Sequence, residues 1–361
     1  MEKQYDVIGV ENLIMDFAVR INKLPQTDGF AYIRDYCWQS GGNAASAIVA
    51  LARLGSDCGM VGTTGSDPFG TFCKEDMHRH GVDTSHIKQI PGATTFCICL
   101  AEEETQGRSI LGKLGDVGSL TNEEIDENYI ASAKAIHLGL PYTPTNDVAI
   151  RFAREHGVLV SLDAGGPVKN AKELVQKADI LIMSEAFYNA LFSDTGYEKN
   201  CAALLCEGPQ VAIVTLGKAG CAGADKHGTF RLESFSDCGY EIVDTTGAGD
   251  VFHGGFLYAW LHRYGKAPFN YDLKDCARFA SVVYYINCMS LGGRTGSPNL
   301  DMGDTFLCWI GFAHMKGDKQ ENTIAGYRIV APDNNGRVFF DRRSEERRVG
   351  KECRSRWSPY H

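Results

Sequence analysis

The sequence contains no apolar stretch of about 20 residues, the length that a helix needs to cross a bilayer. Its first residues, MEKQYDVIGV, pass directly into an apolar run. They do not show the charged, apolar and small-residue regions that make up a secretory leader. These absences argue against a membrane protein and predict a cytoplasmic location.

Positive charge is also scarce. The chain has 36 Lys and Arg against 45 Asp and Glu, a formal net charge of −9. Surfaces that follow the phosphates of nucleic acids or of anionic membranes are usually basic. Nucleic acid and membrane are therefore poor candidate partners, and a small-molecule ligand is expected.

The 13 cysteines lack the spacing of a metal or redox site. They are scattered singly apart from Cys97 and Cys99, and no CxxC pair occurs. CxxC pairs are typical of structural zinc sites and of redox dithiols. The scattered thiols indicate small buried side chains in a reducing compartment.

The sequence does contain a repeated alternation of apolar strands and amphipathic helices, with helical period over Asn43–Gly55 and Phe69–Gly81. The runs rich in valine and isoleucine are predicted as buried strands: Tyr5–Val10, Cys58–Gly62, Ala135–Gly139, Val158–Asp163, Asp179–Met183 and Val211–Thr215. This order predicts an α/β fold whose mostly parallel sheet is covered by helices on both faces.

Two stretches break that alternation. Phe30–Trp38 is aromatic and alternating, and Thr94–Leu114 contains the alternating run TTFCICLAEEE. They predict a small separate sheet, drawn from about residues 11–38 and 93–115. Such a sheet could act as a lid over the carboxyl ends of the main strands, where ligands of α/β sheets bind.

The pattern changes again after about Asn299. We predict that the main domain spans residues 1–300 and that an atypical tail follows over 301–361. Residues 343–361 are basic and resemble the translation of a sequencing-library adapter, which indicates a gene-assembly artefact. The alternative is a basic tail that binds an acidic partner.

A glycine-rich turn and the helix after it, VDTTGAGDVFHGGFLYAWLH (Val243–His262), are the most informative segment. Small residues let the backbone approach a ligand, and the first amides of a helix are unsatisfied, so the turn predicts an anion site. Asp250 lies at this site despite like-charge repulsion, which indicates a general base for an attacking hydroxyl. The alternative is that Asp250 only caps the helix.

Gly254 and Gly255 lie inside that helix, where each costs about 1 kcal/mol relative to alanine. They predict a close approach, either of another helix or of a nucleotide. Phe252 stands where a GxGxxG motif would need its last glycine. This argues against a nicotinamide-dependent dehydrogenase.

Two segments together resemble the signatures of a known family. DTTGAGDVFHGGF (244–256) resembles the C-terminal signature of the ribokinase-like (PfkB) carbohydrate kinases, and SGGNAASAIVALARLG (40–55) resembles their N-terminal signature. Other landmarks of the family match Gly65–Gly70, Leu162–Pro167, Val214–Gly220 and Cys288–Pro298. The resemblance covers about residues 5–300. It implies a three-layer α/β/α domain with a β-sheet lid, and ATP-dependent phosphorylation of a sugar or nucleoside hydroxyl.

The resemblance also implies roles for single residues. Asp250 becomes the catalytic base, and the amides of Gly247, Ala248 and Gly249 become the anion hole for the transferring phosphoryl group. Asp16 becomes the ligand of a vicinal diol, as a carboxylate can accept two hydroxyl hydrogen bonds. The other residues implied to contact the substrate are Gly41, Gly42 and Asn43. On the residues alone, Asp16 could equally be a turn residue, and Asn43 a helix cap.

Further matches concern the nucleotide and cations. Thr215 and Gly217 match a loop beneath the nucleotide, and Asn287 matches the start of the adenine pocket. The positions matching a site for a monovalent cation, potassium, are Asp244, Thr246 and Gly292. Arg108 in the lid is either a contact for a substrate phosphate or a solvated charge.

One segment departs from the family pattern. The family carries Asn-x-x-Glu after its fifth strand, whereas this chain has SEAF, with Ser184 and Phe187 at the two positions. Magnesium is still expected with ATP, because the charge of the phosphates must be neutralised during transfer. How this chain organises magnesium is left open.

The alternative to a kinase is a sugar- or nucleotide-binding protein on the same fold, because a fold does not fix a function. The intact DTTGAGD favours the kinase, and the SEAF segment favours the binding protein. Asp16 favours an uncharged polyol over a phosphosugar as the acceptor. Many members of the family dimerise through the lid, which would cover the exposed edges of its sheet.

Overall fold

The computed structural model describes residues 3–105, 107–166, 168–235 and 241–307, and the backbone of three short strands between 323 and 342. The strands of the main and lid sheets are β1 (Tyr5–Val10), β2 (Ile14–Ile21), β3 (Ile33–Gly41), β4 (Cys58–Gly65), β5 (Ile87–Ile90), β6 (Thr95–Glu102), β7 (Arg108–Lys113), β8 (Ala133–Leu138), β9 (Leu159–Ala164), β10 (Ile180–Ser184), β11 (Val211–Thr215), β12 (Cys221–Asp225) and β13 (Gly228–Leu232). The α-helices are α1 (Asn43–Arg53), α2 (Pro68–Arg79), α3 (Glu127–Ala131), α4 (Pro144–Glu155), α5 (Ala171–Val175), α6 (Glu185–Leu191), α7 (Tyr197–Leu204), α8 (Ala248–His262) and α9 (Leu273–Asn287).

A nine-stranded sheet forms the centre of the domain, in the order β13-β12-β11-β10-β9-β8-β1-β4-β5. The pairs from β11 to β5 are parallel, whereas β12 and β13 pair antiparallel at one edge. Because the carboxyl ends of parallel strands share one edge, the residues that follow β1, β8, β9 and β10 meet there.

The apolar strand residues alternate between two cores, one on each face of the sheet. In β1, Val7 belongs to the core formed with α1, α8 and α9, whereas Ile8 belongs to the core formed with α3, α4 and α7. Burial on both faces explains why the strands are continuous apolar runs rather than alternating ones. The predicted α/β fold with helices on both faces is confirmed.

A second, four-stranded sheet has the order β3-β2-β6-β7. β2 and β6 pair in parallel, and the two outer pairs are antiparallel. β2, β6 and β7 lie within the segments predicted for the lid, but the predicted strand Phe30–Trp38 is displaced. It begins at Ile33 and continues to Gly41, so that it leads into the first residues of α1.

Residues 300–307 are helical and pack on the domain. Phe306 is 1% exposed, and its ring lies 5.8 Å from that of Tyr285. The carboxylate of Asp304 accepts two hydrogen bonds from the buried guanidinium of Arg263, at 2.8 and 2.9 Å. A helix that packs on the domain therefore begins at the predicted boundary, residue 300.

Beyond that helix, the described backbone forms an antiparallel sheet of β14 (Thr323–Ile324), β15 (Tyr327–Val330) and β16 (Phe339–Arg342). The segment 343–361, interpreted as an adapter artefact, lies outside the described residues. Within the described residues, no helix has both the length and the apolar character to cross a membrane.

Candidate active site

The glycine-rich turn lies at the N-terminus of α8, against the loop that follows α9. Gly247 is the N-cap of α8 and has a left-handed backbone, with φ of 68°. A Cβ at this position would lie 2.1 Å from the carbonyl oxygen of Gly293. Both the conformation and the close approach require glycine, so the turn is fixed by the loop packed against it.

The amides at the start of α8 differ in whether they already have a hydrogen-bond acceptor. No side chain caps the N-terminus of α8. The first amides of a helix have no intrahelical acceptor. The amide of Ala248 also donates to the carbonyl of Thr245, at 3.3 Å, within the turn. The N-terminus of α8 is therefore left without a side-chain cap at the position of the predicted anion site.

Asp250 is the third residue of α8 and makes no capping hydrogen bond, so it is not the cap of this helix. Burial raises the pKa of its carboxyl well above the ordinary value. The neighbouring carboxylates of Asp163 and Glu11 raise it further, and the guanidinium of Arg108 opposes them. A carboxyl with a raised pKa is a stronger base once it is ionised.

Glu11 follows β1, and its side chain caps the N-terminus of α1. Its two carboxylate oxygens accept hydrogen bonds from the amides of Asn43 and Ala45, both at 3.2 Å. Burial raises the pKa of Glu11 to about 8, although these amides lower it. Gly42 rather than Asn43 is the N-cap of α1, so the side chain of Asn43 is left for another partner.

Asp16 lies within β2 and is therefore not a turn residue. It pairs across the lid sheet with Gln39. Burial raises its pKa to about 6, while the charge of Arg294 and a hydrogen bond from Gln39 oppose that rise. A Cβ on Gly41 would lie 2.0 Å from the Asp16 carboxylate, so only glycine leaves that carboxylate its place.

Gly42, the N-cap of α1, is also a position that requires glycine. Its φ of 109° favours glycine, and a Cβ would lie 2.4 Å from the Glu11 carboxylate. Glu11 and Asp16 thus lie against the adjacent residues Gly42 and Gly41, and the charges of both carboxylates raise the pKa of Asp250. The structure thus brings the predicted substrate residues and the predicted base together.

The three residues predicted to hold a monovalent cation also meet. The carboxylate of Asp244 accepts hydrogen bonds from the amides of Thr246, at 2.8 Å, and Gly292, at 2.9 Å. Asp244 is 3% exposed and forms no salt bridge with any described residue. The hydroxyl of Thr246 is buried without a partner among the described residues. A buried, unpaired carboxylate is costly, which fits a site for a cation.

The lid contacts the glycine-rich turn directly. Arg108 of β7 donates to the carbonyl of Thr245 at 2.6 Å, and Arg20 of β2 forms a salt bridge with Glu241 at 2.9 Å. Arg108 is exposed, and one of its guanidinium nitrogens is engaged by this carbonyl. Its charge acts on Asp250 from the lid side.

The residues predicted for the nucleotide are dispersed. Thr215 ends β11 and donates to the carbonyl of Met183 at 3.3 Å, and Gly217 begins the turn after it with φ of 54°. Asn287 is fully buried: its amide donates to the Gly293 carbonyl and its oxygen accepts from Ser297. The nitrogen and the oxygen of the Asn287 side-chain amide thus both bind the loop that follows α9.

The SEAF segment has a structural role in this chain. Ser184 caps α6 by accepting a hydrogen bond from the amide of Phe187 at 3.2 Å, and Phe187 is fully buried in the core. Glu185 accepts a hydrogen bond from the hydroxyl of Tyr197 at 2.7 Å. The segment therefore stabilises a helix start, where the family pattern has an asparagine and a glutamate.

Gly254 and Gly255 serve helix packing. A Cβ on Gly254 would lie 2.6 Å from the Ala47 carbonyl of α1, and one on Gly255 would lie 3.0 Å from the backbone of Ala280 in α9. Of the two predicted reasons for glycine here, close approach of other helices is the one observed. Nucleotide binding is not needed to explain them.

Several site residues were not singled out from the sequence, namely Glu11, Asp163, His137, His253 and Arg294. Glu11 and Asp163 come at the end of predicted apolar strands, which is a signal for cleft residues in a parallel sheet. Arg294 is buried and paired with Asp76 of α2. Its role required knowledge of how distant segments pack.

Comparison with known proteins shows the family of this chain. Residues 13–300 match the family described as pfkB family carbohydrate kinase. An ATP-dependent ribose-1-phosphate kinase from Halopiger xanaduensis is 31% identical over 305 residues, covering 83% of this chain and 97% of that protein.

Solved structures show the same fold. A ribokinase from Thermotoga maritima is 22% identical, with a TM-score of 0.69, and the match covers 84% of this chain and 99% of that one. A ribokinase from Arabidopsis thaliana in complex with ribose and ATP is 21% identical, with a TM-score of 0.67, and covers 85% and 99%. The ribokinase-like fold expected from the two signatures is thereby confirmed. The chain belongs to the pfkB family of carbohydrate kinases.

Proposed function

We propose that this protein transfers the γ-phosphoryl group of ATP to a hydroxyl of a small sugar-like acceptor. The observation that carries the proposal is the position of Asp250. It stands in the first turn of α8, beside uncapped amides that can hold the transferring group, in the cleft that also contains Asp16. Base, anion site and acceptor site are the three parts that phosphoryl transfer needs.

In this proposal, Asp250 accepts the proton of the acceptor hydroxyl while the oxygen of that hydroxyl forms a bond to the γ-phosphorus. The bond between the γ-phosphorus and the oxygen that bridges it to the β-phosphorus breaks, and ADP leaves. The amides of Gly247, Ala248 and Gly249 donate to the transferring group, where fixed dipoles lower the barrier most. Asp16 and Asn43 orient the acceptor, and Gly41 and Gly42 let the backbone approach it.

The charge of the cleft favours an uncharged acceptor. Burial and the charges of Asp163, Glu11 and Asp16 raise the pKa of Asp250, whereas Arg108, which donates one hydrogen bond to the Thr245 carbonyl, lowers it. A phosphosugar would meet like-charge repulsion from these carboxylates, whereas a vicinal diol can donate to Asp16. We therefore propose a neutral sugar or nucleoside as the acceptor.

ATP enters with magnesium, which offsets the charge of the phosphates. Among the described residues, no group of three or more His, Cys, Asp or Glu is arranged to hold a metal ion. We propose that the nucleotide phosphates supply most of the magnesium ligands. Thr215 and Gly217 remain proposed contacts of the nucleotide, whereas Asn287 is proposed to shape its pocket by holding the loop after α9.

We propose a potassium site at Asp244, Thr246 and Gly292. A cation there would compensate the buried carboxylate and stabilise the turn that begins at Thr246. Replacing potassium by tetramethylammonium should lower kcat several-fold in the wild type. The Asp244→Asn variant should have lost most of this response, and an equal response in both proteins would refute the site.

We also propose that the lid pairs with that of a second copy. Its edge strands β3 and β7 carry large exposed apolar side chains, namely Ile33, Tyr36, Trp38, Ile110 and Leu111. An exposed apolar patch of this kind is typical of a protein interface. Sedimentation velocity should show a dimer that Leu111→Glu dissociates and that the remote Lys226→Glu does not. A wild-type monomer would contradict the proposal.

The function is tested by identifying the product. The full chain is incubated with ATP, magnesium and potassium and with single members of a panel of sugars, sugar acids and nucleosides. Mass spectrometry and phosphorus NMR then show whether the acceptor has gained one phosphoryl group, and on which oxygen. If ATP is only hydrolysed, or no acceptor is modified, the proposed transfer is refuted.

The cytoplasmic location stays a prediction.

A further inference from the structure

A buried arginine lies between the two halves of the candidate site. Arg294 belongs to the loop that follows α9, and it is 1% exposed. Its guanidinium forms a salt bridge with the carboxylate of Asp76 in α2. Nη1 of the same group donates to the carbonyl of Ala45 in α1, at 3.4 Å. One side chain of this loop thus contacts two helices that are distant from it in the sequence.

Stability alone does not explain this buried charge. Nε of Arg294 is buried without a partner among the described residues. Taking two charges out of water costs free energy that their attraction often fails to offset, so apolar residues can often replace a buried ion pair without loss of stability. A need to fix the relative position of the segments that carry the pair would explain it.

Asp76 connects the arginine to the acceptor side of the site. Its Oδ2 accepts a hydrogen bond from Arg294 and another from the backbone amide of Ser40, at 3.0 Å. Ser40 directly precedes residues 41–43, the proposed contacts of the acceptor. The segment that would hold the acceptor is therefore tied to the arginine through one carboxylate oxygen.

The residues just before the arginine contact the phosphoryl-transfer side. A Cβ on Gly247 would lie 2.1 Å from the carbonyl oxygen of Gly293, and the amide of Gly292 donates to Asp244 at 2.9 Å. Gly292, Gly293 and Arg294 are consecutive. A shift of the arginine would therefore move the atoms against which the glycine-rich turn packs.

Two further hydrogen bonds hold the same loop. The hydroxyl of Thr295 donates to the side-chain oxygen of Gln39 at 3.2 Å, and Arg53 donates to the carbonyl of Thr295 at 3.5 Å. Both are long beside a charge-assisted pair of guanidinium and carboxylate. Substitution of Arg294 should therefore loosen the loop without releasing it.

We propose that Arg294 is a positioning residue for phosphoryl transfer: by binding Asp76 and the Ala45 carbonyl, it holds the acceptor residues 41–43 in register with the glycine-rich turn. The inference rests on the proposed function and adds the group that aligns its two halves. Reacting atoms must be held about 3–3.5 Å apart, and a misplacement of about 1 Å can cost about 10²-fold in rate.

Two variants of the full chain separate alignment from stability. Arg294→Met leaves Asp76 without its buried cation, so it should lower both the melting temperature and kcat. In Arg294→Met/Asp76→Asn that buried charge is gone, and the amide oxygen can still accept from Ser40. The double variant should recover the melting temperature, but its kcat should stay about 10²-fold below that of the wild type. Recovery of both would show that Arg294 only stabilises the fold, and would overturn the proposal.

The ratio of phosphorylated acceptor to released ADP is a readout that a loss of folded protein does not change. It is measured with the panel member that the wild type phosphorylates fastest. A misaligned acceptor hydroxyl lets water attack in its place, so this ratio should be lower in the double variant than in the wild type. An unchanged ratio would contradict the misalignment.

Arg294→Lys separates alignment from charge. The charge of Arg294 also opposes the rise in the pKa of Asp16. Lysine keeps that charge but replaces the planar fork by one nitrogen, which cannot contact Asp76 and the Ala45 carbonyl as the guanidinium does. Its kcat should therefore remain well below that of the wild type. Wild-type kcat in this variant would show that the charge suffices, and the proposal would fail.

A second buried arginine supplies the matched control. Arg263 lies at the C-terminal end of α8, whereas the glycine-rich turn lies at the N-terminal end, and it donates to Asp304 at 2.8 and 2.9 Å. Arg263→Met/Asp304→Asn should leave the ratio of product to ADP unchanged. If it lowers this ratio as much as the double variant of Arg294 does, the effect is one of stability, which would refute the positioning role.

Hydrogen exchange separates this inference from the proposed function. In the glycine-rich turn, the amides of Val243 and Asp244 donate to the carbonyl of Cys288, at 2.8 and 3.2 Å. A peptide covering 243–248 contains neither substitution of the Arg294 double variant, and it should exchange about tenfold faster there than in the wild type. Unchanged exchange refutes the tie whatever the activity. If the wild type transfers no phosphoryl group but exchange responds as expected, the tie stands and only the proposed function falls.

Discussion

Replacing Asp250 with asparagine is expected to lower kcat by about 10²- to 10⁴-fold, the usual contribution of a general base. Asparagine has the same shape but cannot accept the proton of the acceptor hydroxyl. KM should change only a few-fold, because the proposed contacts with the acceptor come from Asp16 and Asn43. Steady-state release of ADP at saturating ATP measures both constants.

Asp272 offers a matched control at the start of the neighbouring helix. Its carboxylate caps α9 by accepting a hydrogen bond from the amide of Asp275 at 2.8 Å. Asp272→Asn should cost at most about 1 kcal/mol of stability and leave kcat unchanged. If the two variants lose similar, small amounts of activity, Asp250 acts through the stability of its helix and not as a base.

Gly247→Ala is expected to lower kcat by about 10²- to 10³-fold, the loss that follows removal of an oxyanion-hole donor. The added Cβ would lie 2.1 Å from the Gly293 carbonyl, at a backbone φ of 68° that alanine disfavours. The turn must therefore move away from the loop after α9, which misdirects its amides. Rapid-quench measurement of phosphoryl transfer reports the loss.

Gly157 separates backbone strain from this clash. Its φ is 63°, close to that of Gly247, but a Cβ there would meet no atom within 4 Å. Gly157→Ala should cost about 1 kcal/mol of stability and leave transfer unchanged. Wild-type transfer by a folded Gly247→Ala variant would show that the turn does not carry the anion site.

The layers of the fold were predictable from the sequence because each buried strand is a continuous apolar run. The lid was predictable because its strands alternate, as in TTFCICLAEEE. The boundary at residue 300 stays a prediction. The packing of residues 300–307 on the domain was not predicted, because it includes the contact of Asp304 with the buried Arg263, 41 positions earlier in the sequence.

The turn that carries Gly247 and Asp250 was visible in the sequence, since the two residues are close in it, and their roles as anion site and base stay predictions. The carboxylates that raise the pKa of Asp250 were not visible in this way. Glu11 follows β1 and Asp163 lies in β9, and the two come near each other only because β8 lies between these strands in the sheet, an order that local patterns do not encode. Likewise, packing against α1 and α9 explains why Gly254 and Gly255 of α8 are glycines. From the sequence alone, the close approach could have been that of another helix or of a nucleotide.

The most direct test of the central claim is coupled release of ADP by the full-length wild type and by Asp250→Asn, over a panel of sugars and nucleosides with magnesium and potassium. Calorimetry on the same proteins shows which acceptors bind. We expect at least one acceptor that binds to both proteins and is turned over by the wild type alone, with a difference of about 10² or more. If acceptors bind but the wild type releases no ADP, the protein is a binding protein on a kinase fold, and the assignment of Asp250 as a base is wrong.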